Sequence, residues 1–139
     1  MLRSLKRNYV TQILGCFDVE FDDRELDEDK KFKVLMLQKL HARPLTRIHP
    51  SALRSTERNA IRNAVIDIVK SMHENDIYFP SPYLPHFLMM IENHSTVRVC
   101  SLGTTYHPSE YSLSKEEQDG HKRRAIVIAT DELDEAGWC

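Results

Sequence analysis

The chain has 139 residues, 41% of them hydrophobic, 29% charged and 8% aromatic, enough for one modest domain and too few for a multidomain machine. Lys and Arg number 19 against 21 Asp and Glu, a formal charge of -2, so no bulk field draws the chain to nucleic acid or to an anionic membrane. The longest strongly apolar runs, residues 87–91 and 125–129, fall far short of the ~20 residues that cross a bilayer.

The start has no continuous apolar core for a secretory signal. Its acid-free, basic character (Arg3, Lys6, Arg7) leaves a mitochondrial presequence as the lesser alternative to a cytoplasmic chain. Cys16, Cys100 and Cys139 are odd in number and form no C-x-x-C pair, which suits reduced thiols, and the two in apolar surroundings read as small buried hydrophobes. Residues 9–17 are rich in Val, Ile, Phe and Cys and predict a first strand. Residues 18–29 place eight acids against the single Arg24 and predict a solvated loop. The run FKVLML at 32–37 predicts a buried second strand, antiparallel to the first.

Pro44 and Pro50 then break the pattern, leaving irregular or one-turn helical chain to Arg54. Ile61, Ala64, Val65, Ile68 and Met72 fall at helical spacing, which predicts an amphipathic helix over 57–74 capped by Ser55 or Thr56. Pro80, Pro82 and Pro85 exclude helix and central strand from the next loop, because each lacks an amide hydrogen and fixes φ. Residues 87–91 and 96–100 flank a polar turn and predict a hairpin. From 108 to 139 the signals weaken. Ser114 and Glu117 have capping-box spacing, Gly120 interrupts any helix begun there, and residues 131–135 read as an acidic tail.

The seven histidines include no i, i+4 pair on a helix and no H-E-x-x-H, so the pattern predicts no metal site. The acidic run fails as a calcium loop, having Asp23 where the turn requires Gly and Asp29 in place of a bidentate Glu. No G-x-S-x-G elbow is present. The basic residues Arg54, Arg58, Arg62 and Lys70 are interspersed with acids and lack aromatic interleaving, which argues against a nucleic-acid partner.

One collinear set of segments stands above this background. FKVLMLQKLHARPL (32–45) resembles the fifth strand and hinge of fungal protein-kinase-like proteins, within the superfamily that includes aminoglycoside phosphotransferases. RNAIRNAVIDIVKSMHENDI (58–77) resembles the long helix before the catalytic loop. YFPSPYLPHFLMM (78–90) falls where that family has V-H-G-D-L-x-P-x-N-F-L, and VRVCSLG (97–103) falls where it has the D-F-G step. The resemblance covers roughly residues 9–107. It implies an α+β, partial protein-kinase-like fold: an upper-lobe remnant over 1–40, then hinge, helix, pseudo-catalytic loop and hairpin over 41–107, and a weakly structured segment over 108–139.

The departures from that pattern bear on function. In this register Phe79 replaces the loop histidine, Ser81 the catalytic aspartate, His86 the magnesium-binding asparagine and Ser101 the aspartate of D-F-G, while Gly103 is kept. Phosphoryl transfer depends on magnesium held by carboxylate and amide oxygens, which Ser and His do not replace. Eight residues precede Tyr9, too few for the Gly-rich strands and the phosphate-pairing lysine strand, and four glycines cannot form G-x-G-x-x-G. The resemblance therefore implies a truncated pseudokinase fragment with no cofactor. It is expected to act, if at all, through another protein chain covering its exposed strand edge. The alternatives are a phosphotransferase completed by a second chain, with the hinge at 38–40 offering backbone groups to an adenine, and an unrelated small interaction domain.

Overall fold

A computed structural model describes residues 10–23, 28–100, 105, 107 and 110–138. They form two compact units, one of Thr11–Leu40 and one of Val10 with the described residues from His41 on. The architecture is α+β, with two helices and two small antiparallel sheets.

The first unit is a hairpin of β1 (Ile13–Asp23) and β2 (Glu28–Leu37). The sequence F-D-V-E-F-D alternates at the period of a strand, and the register sets Phe17 opposite Val34, Asp18 opposite Lys33 and Glu20 opposite Lys31. Opposite charges facing each other across two strands contribute roughly 0.2–1 kcal/mol per pair. The pairing makes strand of most of the expected acidic loop, including the like-charged positions Asp22 opposite Asp29 and Asp23 opposite Glu28; residues 24–27 of it lie outside the described residues.

The expected burial of β2 is not found. Val34, Leu35, Met36 and Leu37 are 41–53% exposed, because two strands alone supply no second layer to cover either face. Cys16 is also exposed, contrary to its reading as a buried hydrophobe. The register shifts between Ile13 and Gly15. A Cβ on Gly15 would stand 2.9 Å from the Phe17 ring, so glycine gives that ring its room.

The second unit contains β3 (Ala42–Pro44), β4 (Phe87–Met90) and β5 (Val97–Val99) in the spatial order β3-β4-β5. The expected hairpin is β4–β5. In its turn the backbone N–H of Ser95 donates to Asn93 Oδ1 at 3.1 Å and that of Thr96 to Asn93 O at 3.0 Å, the side-chain mimicry that favours Asn in turns. Two 3-10 turns, Leu45–Arg47 and Pro50–Ala52, fill the irregular stretch.

Helix α1 spans Ser55–Glu74. Its start lies earlier than the periodicity indicated, so Ser55 and Thr56 fall inside the first turn instead of capping it. Arg54 holds the cap position, and its backbone N–H donates to the Glu57 carboxylate at 2.9 Å. Ile61, Val65, Ile68, Val69 and Met72 form the buried stripe. The segment expected to be weakly structured holds a second long helix, α2 (Lys115–Glu135). Ser114 and Glu117 make the capping box at its start, and Ala125, Ala129 and Leu133 bury one face at i, i+4 and i+8. Gly120 sits inside the helix, and the supposed acidic tail is its last turn. Packing on α1 accounts for both corrections, since contact with a preformed apolar stripe outweighs the ~1 kcal/mol that one helical glycine costs.

Both helices stop in the same way. The N–H of Ile77 donates to Met72 O at 2.9 Å and that of Asp76 to His73 O at 3.1 Å; the N–H of Trp138 donates to Leu133 O at 2.8 Å and that of Gly137 to Asp134 O at 3.1 Å. These are two Schellman motifs, each sealed by a buried apolar pair, Met72 with Ile77 and Leu133 with Trp138. Such an ending requires a left-handed residue, supplied by Gly137 at φ 84° and, at more cost, by Asp76 at φ 57°.

Two pairs of substitutions test these assignments by urea denaturation. Ile68→Ala is expected to cost about 2–5 kcal/mol, whereas Val127→Ala, at a side chain 56% exposed, is expected to stay within about 0.5 kcal/mol. Gly137→Ala is expected to destabilise by about 1 kcal/mol and Asp76→Gly to stabilise by up to about that amount, because the same backbone conformation favours glycine at both positions.

Candidate functional site

The loop that joins α1 to β4 carries Phe79, Ser81 and His86, three of the four positions at which the kinase-like pattern is altered. Its entry is buried: Ile77 and Tyr78 are 2% exposed and Phe79 is fully enclosed. Phe79 stands edge-on to the His86 ring at 5.4 Å between centroids and tilted against Phe87 at 6.0 Å. The two ends of the loop are thus tied together through one aromatic side chain.

The proline-rich middle is held mainly by backbone. Tyr83 N–H donates to Ser81 O at 2.8 Å, and His86 N–H donates to Tyr83 O at 3.1 Å, closing the 3-10 turn Leu84–His86. Leu84 N–H reaches the Glu132 carboxylate of α2 at 3.4 Å. His86 O accepts the N–H of Cys100 at 2.9 Å, and the Cys100 thiol donates to Pro85 O at 3.6 Å. Burial pushes that thiol above its ordinary pKa, so it stays protonated and can donate.

The structure therefore gathers Ser81 and His86 on one short loop and sets Cys100, the residue before Ser101, against the loop's end. Ser101 and Gly103 lie outside the described residues. Ser81 is half-buried, and among the hydrogen bonds of the described residues none joins it to His86. No carboxylate occurs between Pro80 and His86, and the Glu132 carboxylate that approaches the loop accepts from backbone. Among the described residues no group of three or more His, Cys, Asp or Glu side chains converges as a metal ion requires.

A polar cluster that the sequence did not indicate lies beside this loop. His73, near the end of α1, is 6% exposed and meets the Tyr78 ring edge-on at 6.1 Å. The Lys122 ammonium of α2 stands 5.5 Å from the centre of the Tyr78 ring. The Tyr78 hydroxyl donates to Gln118 Oε1 at 3.1 Å, and Gln118 Nε2 donates in turn to Leu113 O at 3.1 Å. This chain fixes the loop's entry to the first turns of α2. Tyr78 and Gln118 are 40 residues apart, and no local spacing signals such a pair.

The sequence matches no protein-family model and no curated protein. Among the described residues no helix is long and apolar enough to cross a membrane.

Burial, with the Lys122 charge in support, lowers the His73 pKa from 6.5 to about 4. The folded state holds this imidazole neutral while the unfolded chain protonates it near its ordinary value. Its contribution to stability is present in full above pH 6.5 and is lost as pH falls toward 4. His73→Phe is expected to remove that part of the decline, on the order of 3 kcal/mol across the window. Unfolding free energies measured against pH for the two proteins check this; parallel curves would sink it.

Proposed function

We propose that this chain is non-catalytic and protein-kinase-like, a degenerate pseudokinase of the cytosol that acts, if at all, through protein–protein contacts. The observation that carries the reading is the path of the chain: a long helix, a buried turn into a proline-rich loop, and an antiparallel hairpin whose second strand β5 packs against that helix. This is the order that the resemblance requires around a catalytic loop. The side chains at the decisive positions of that loop, Ser81 and His86, are those of an altered one.

The chemistry supports the same reading. A transferred phosphoryl group needs a carboxylate to orient its acceptor and oxygen ligands for magnesium. Ser81 offers a neutral hydroxyl, and His86 offers a ring turned against Phe79. The surface favours contacts instead. Of the eleven large hydrophobic side chains that are exposed among the described residues, eight belong to the β1–β2 hairpin, a concentration that marks an interaction surface.

Thermal melting of the full chain with ATP and magnesium tests the proposal. No saturable shift and no transfer of the γ-phosphoryl group to a hydroxyl acceptor are expected. Stabilisation that saturates, of about 2.7 kcal/mol at a hundredfold excess over Kd, together with turnover lost in Ser81→Ala, would replace this reading with that of a phosphotransferase.

A further inference from the structure

We propose that residues 115–124, the first half of α2, form an acid-released strap over Tyr78, which leaves the body of the second unit when His73 takes up a proton. The inference is independent of the protein-contact reading above and concerns the second unit alone.

The two halves of α2 are held differently. The buried side chains of the helix, Ala125, Ala129 and Leu133, all lie in its second half, with Trp138 buried just beyond. None of residues 115–124 is buried. Two of them reach the loop entry through a single side chain: Gln118 Oε1 accepts from the Tyr78 hydroxyl at 3.1 Å, and the Lys122 ammonium lies 5.5 Å from the centre of the Tyr78 ring. A neutral hydrogen bond and a half-exposed cation–π contact are each modest. Gly120 weakens this half further, since a glycine inside a helix gives up more backbone freedom than alanine. A Cβ there would meet nothing within 4 Å, so no packing calls for the glycine. A helical segment with no buried side chain opens ahead of the core that it borders.

The proton acts at the same ring. His73 meets Tyr78 edge-on at 6.1 Å and is 6% exposed, so a buried imidazole and an ammonium stand against one aromatic side chain. Lys122 is the charge from α2 that bears on His73, Tyr78 is the titratable group from the loop, and Gln118 beside them is uncharged. With the strap closed, a proton on His73 sets a second cation in a buried place near the first, which holds its pKa down at about 4. Release of the strap takes the Lys122 charge away and admits water, and the imidazole returns toward 6.5. Protons therefore favour the open strap as pH falls below 6.5, and the bias levels off below 4. Opening bares the ring and hydroxyl of Tyr78, while β5 and the second half of α2 stay packed on α1.

Amide hydrogen exchange of the full chain, read as protection factors so that the intrinsic pH dependence of exchange is divided out, tests the strap. At pH 7.5 the amides of residues 119–124 are expected to be less protected than those of residues 65–72 in α1. Their protection is expected to fall on the order of 100-fold between pH 7.5 and 4, the factor set by a His73 pKa of 6.5 with the strap open against about 4 with it closed. In His73→Phe most of this fall is expected to vanish. Glu117 and His121, which interact along α2, still titrate in that variant, so the difference between the two proteins isolates the His73 proton. Lys122→Met removes the charge, keeps an apolar stem, and is expected to lessen the fall. Gly120→Ala is expected to raise strap protection about fivefold at every pH and to leave its slope unchanged. Equal protection of the two helices at pH 7.5, or an acid fall as large in His73→Phe as in the wild type, overturns the proposal. If His73→Phe does not fold, an undiminished fall in Lys122→Met overturns it instead. Either result leaves the non-catalytic reading to the nucleotide assay, where it stands or falls on turnover alone.

Discussion

The buried stripe of α1 is the surface on which the second unit is assembled. Ile61, Val65, Ile68, Val69 and Met72 are each fully enclosed, and no single neighbour encloses them. β5 packs on the helix, as does α2. Ala125 and Ala129, having almost no side chain, allow α2 to approach closely, while Leu133 and Trp138 close its far end. Arg62 and Asp134 add an ion pair across the same two helices at their partly exposed rim, where such pairs contribute little and mainly fix orientation. Removing the stripe would leave the short strands β3, β4 and β5 and the small-residue face of α2 with nothing against which to bury.

The loop of Ser81 and His86 inherits its geometry from that packing. Its entry is fixed when α1 ends in a Schellman turn that drives Ile77 into the core, and its exit is fixed when Phe87 enters the same core from β4. Between these anchors the prolines limit the backbone and Phe79 fills the space beneath. A loop held so firmly at both ends can present functional side chains with precision. Here it presents a hydroxyl and an imidazole that share no hydrogen bond, next to a carboxylate that holds backbone. The loop is anchored at both ends, and its span from Pro80 to His86 contains no carboxylate of its own.

The first unit follows a different logic. In the β1–β2 hairpin the backbone ladder supplies the pairing and the apolar residues stay half in water. The second unit hides its large side chains and the first displays them, although both draw on similar residue types. What separates them is the number of layers: two helices and three strands enclose a core, and two strands cannot.

The sequence by itself determined the elements whose signal is local. The 3.6-residue spacing from Ile61 to Met72 yielded α1, the polar turn at 92–95 yielded the β4–β5 hairpin, and the prolines between Pro80 and Pro85 kept the site a loop. The placement of Ser81 and His86 on that loop was equally legible. Tertiary structure alone decided the rest. Pairing with β2 made strand of the acidic segment after Phe17, a choice that depends on a partner strand and not on local charge. Helix α2 became visible only against the α1 stripe, because its three buried residues are too few and too small to stand out in a window full of charge. The His73, Tyr78 and Gln118 cluster had no local trace, since its members meet only after α1 and α2 have packed. Periodicity records which face a segment will bury, and it is silent on what lies opposite that face.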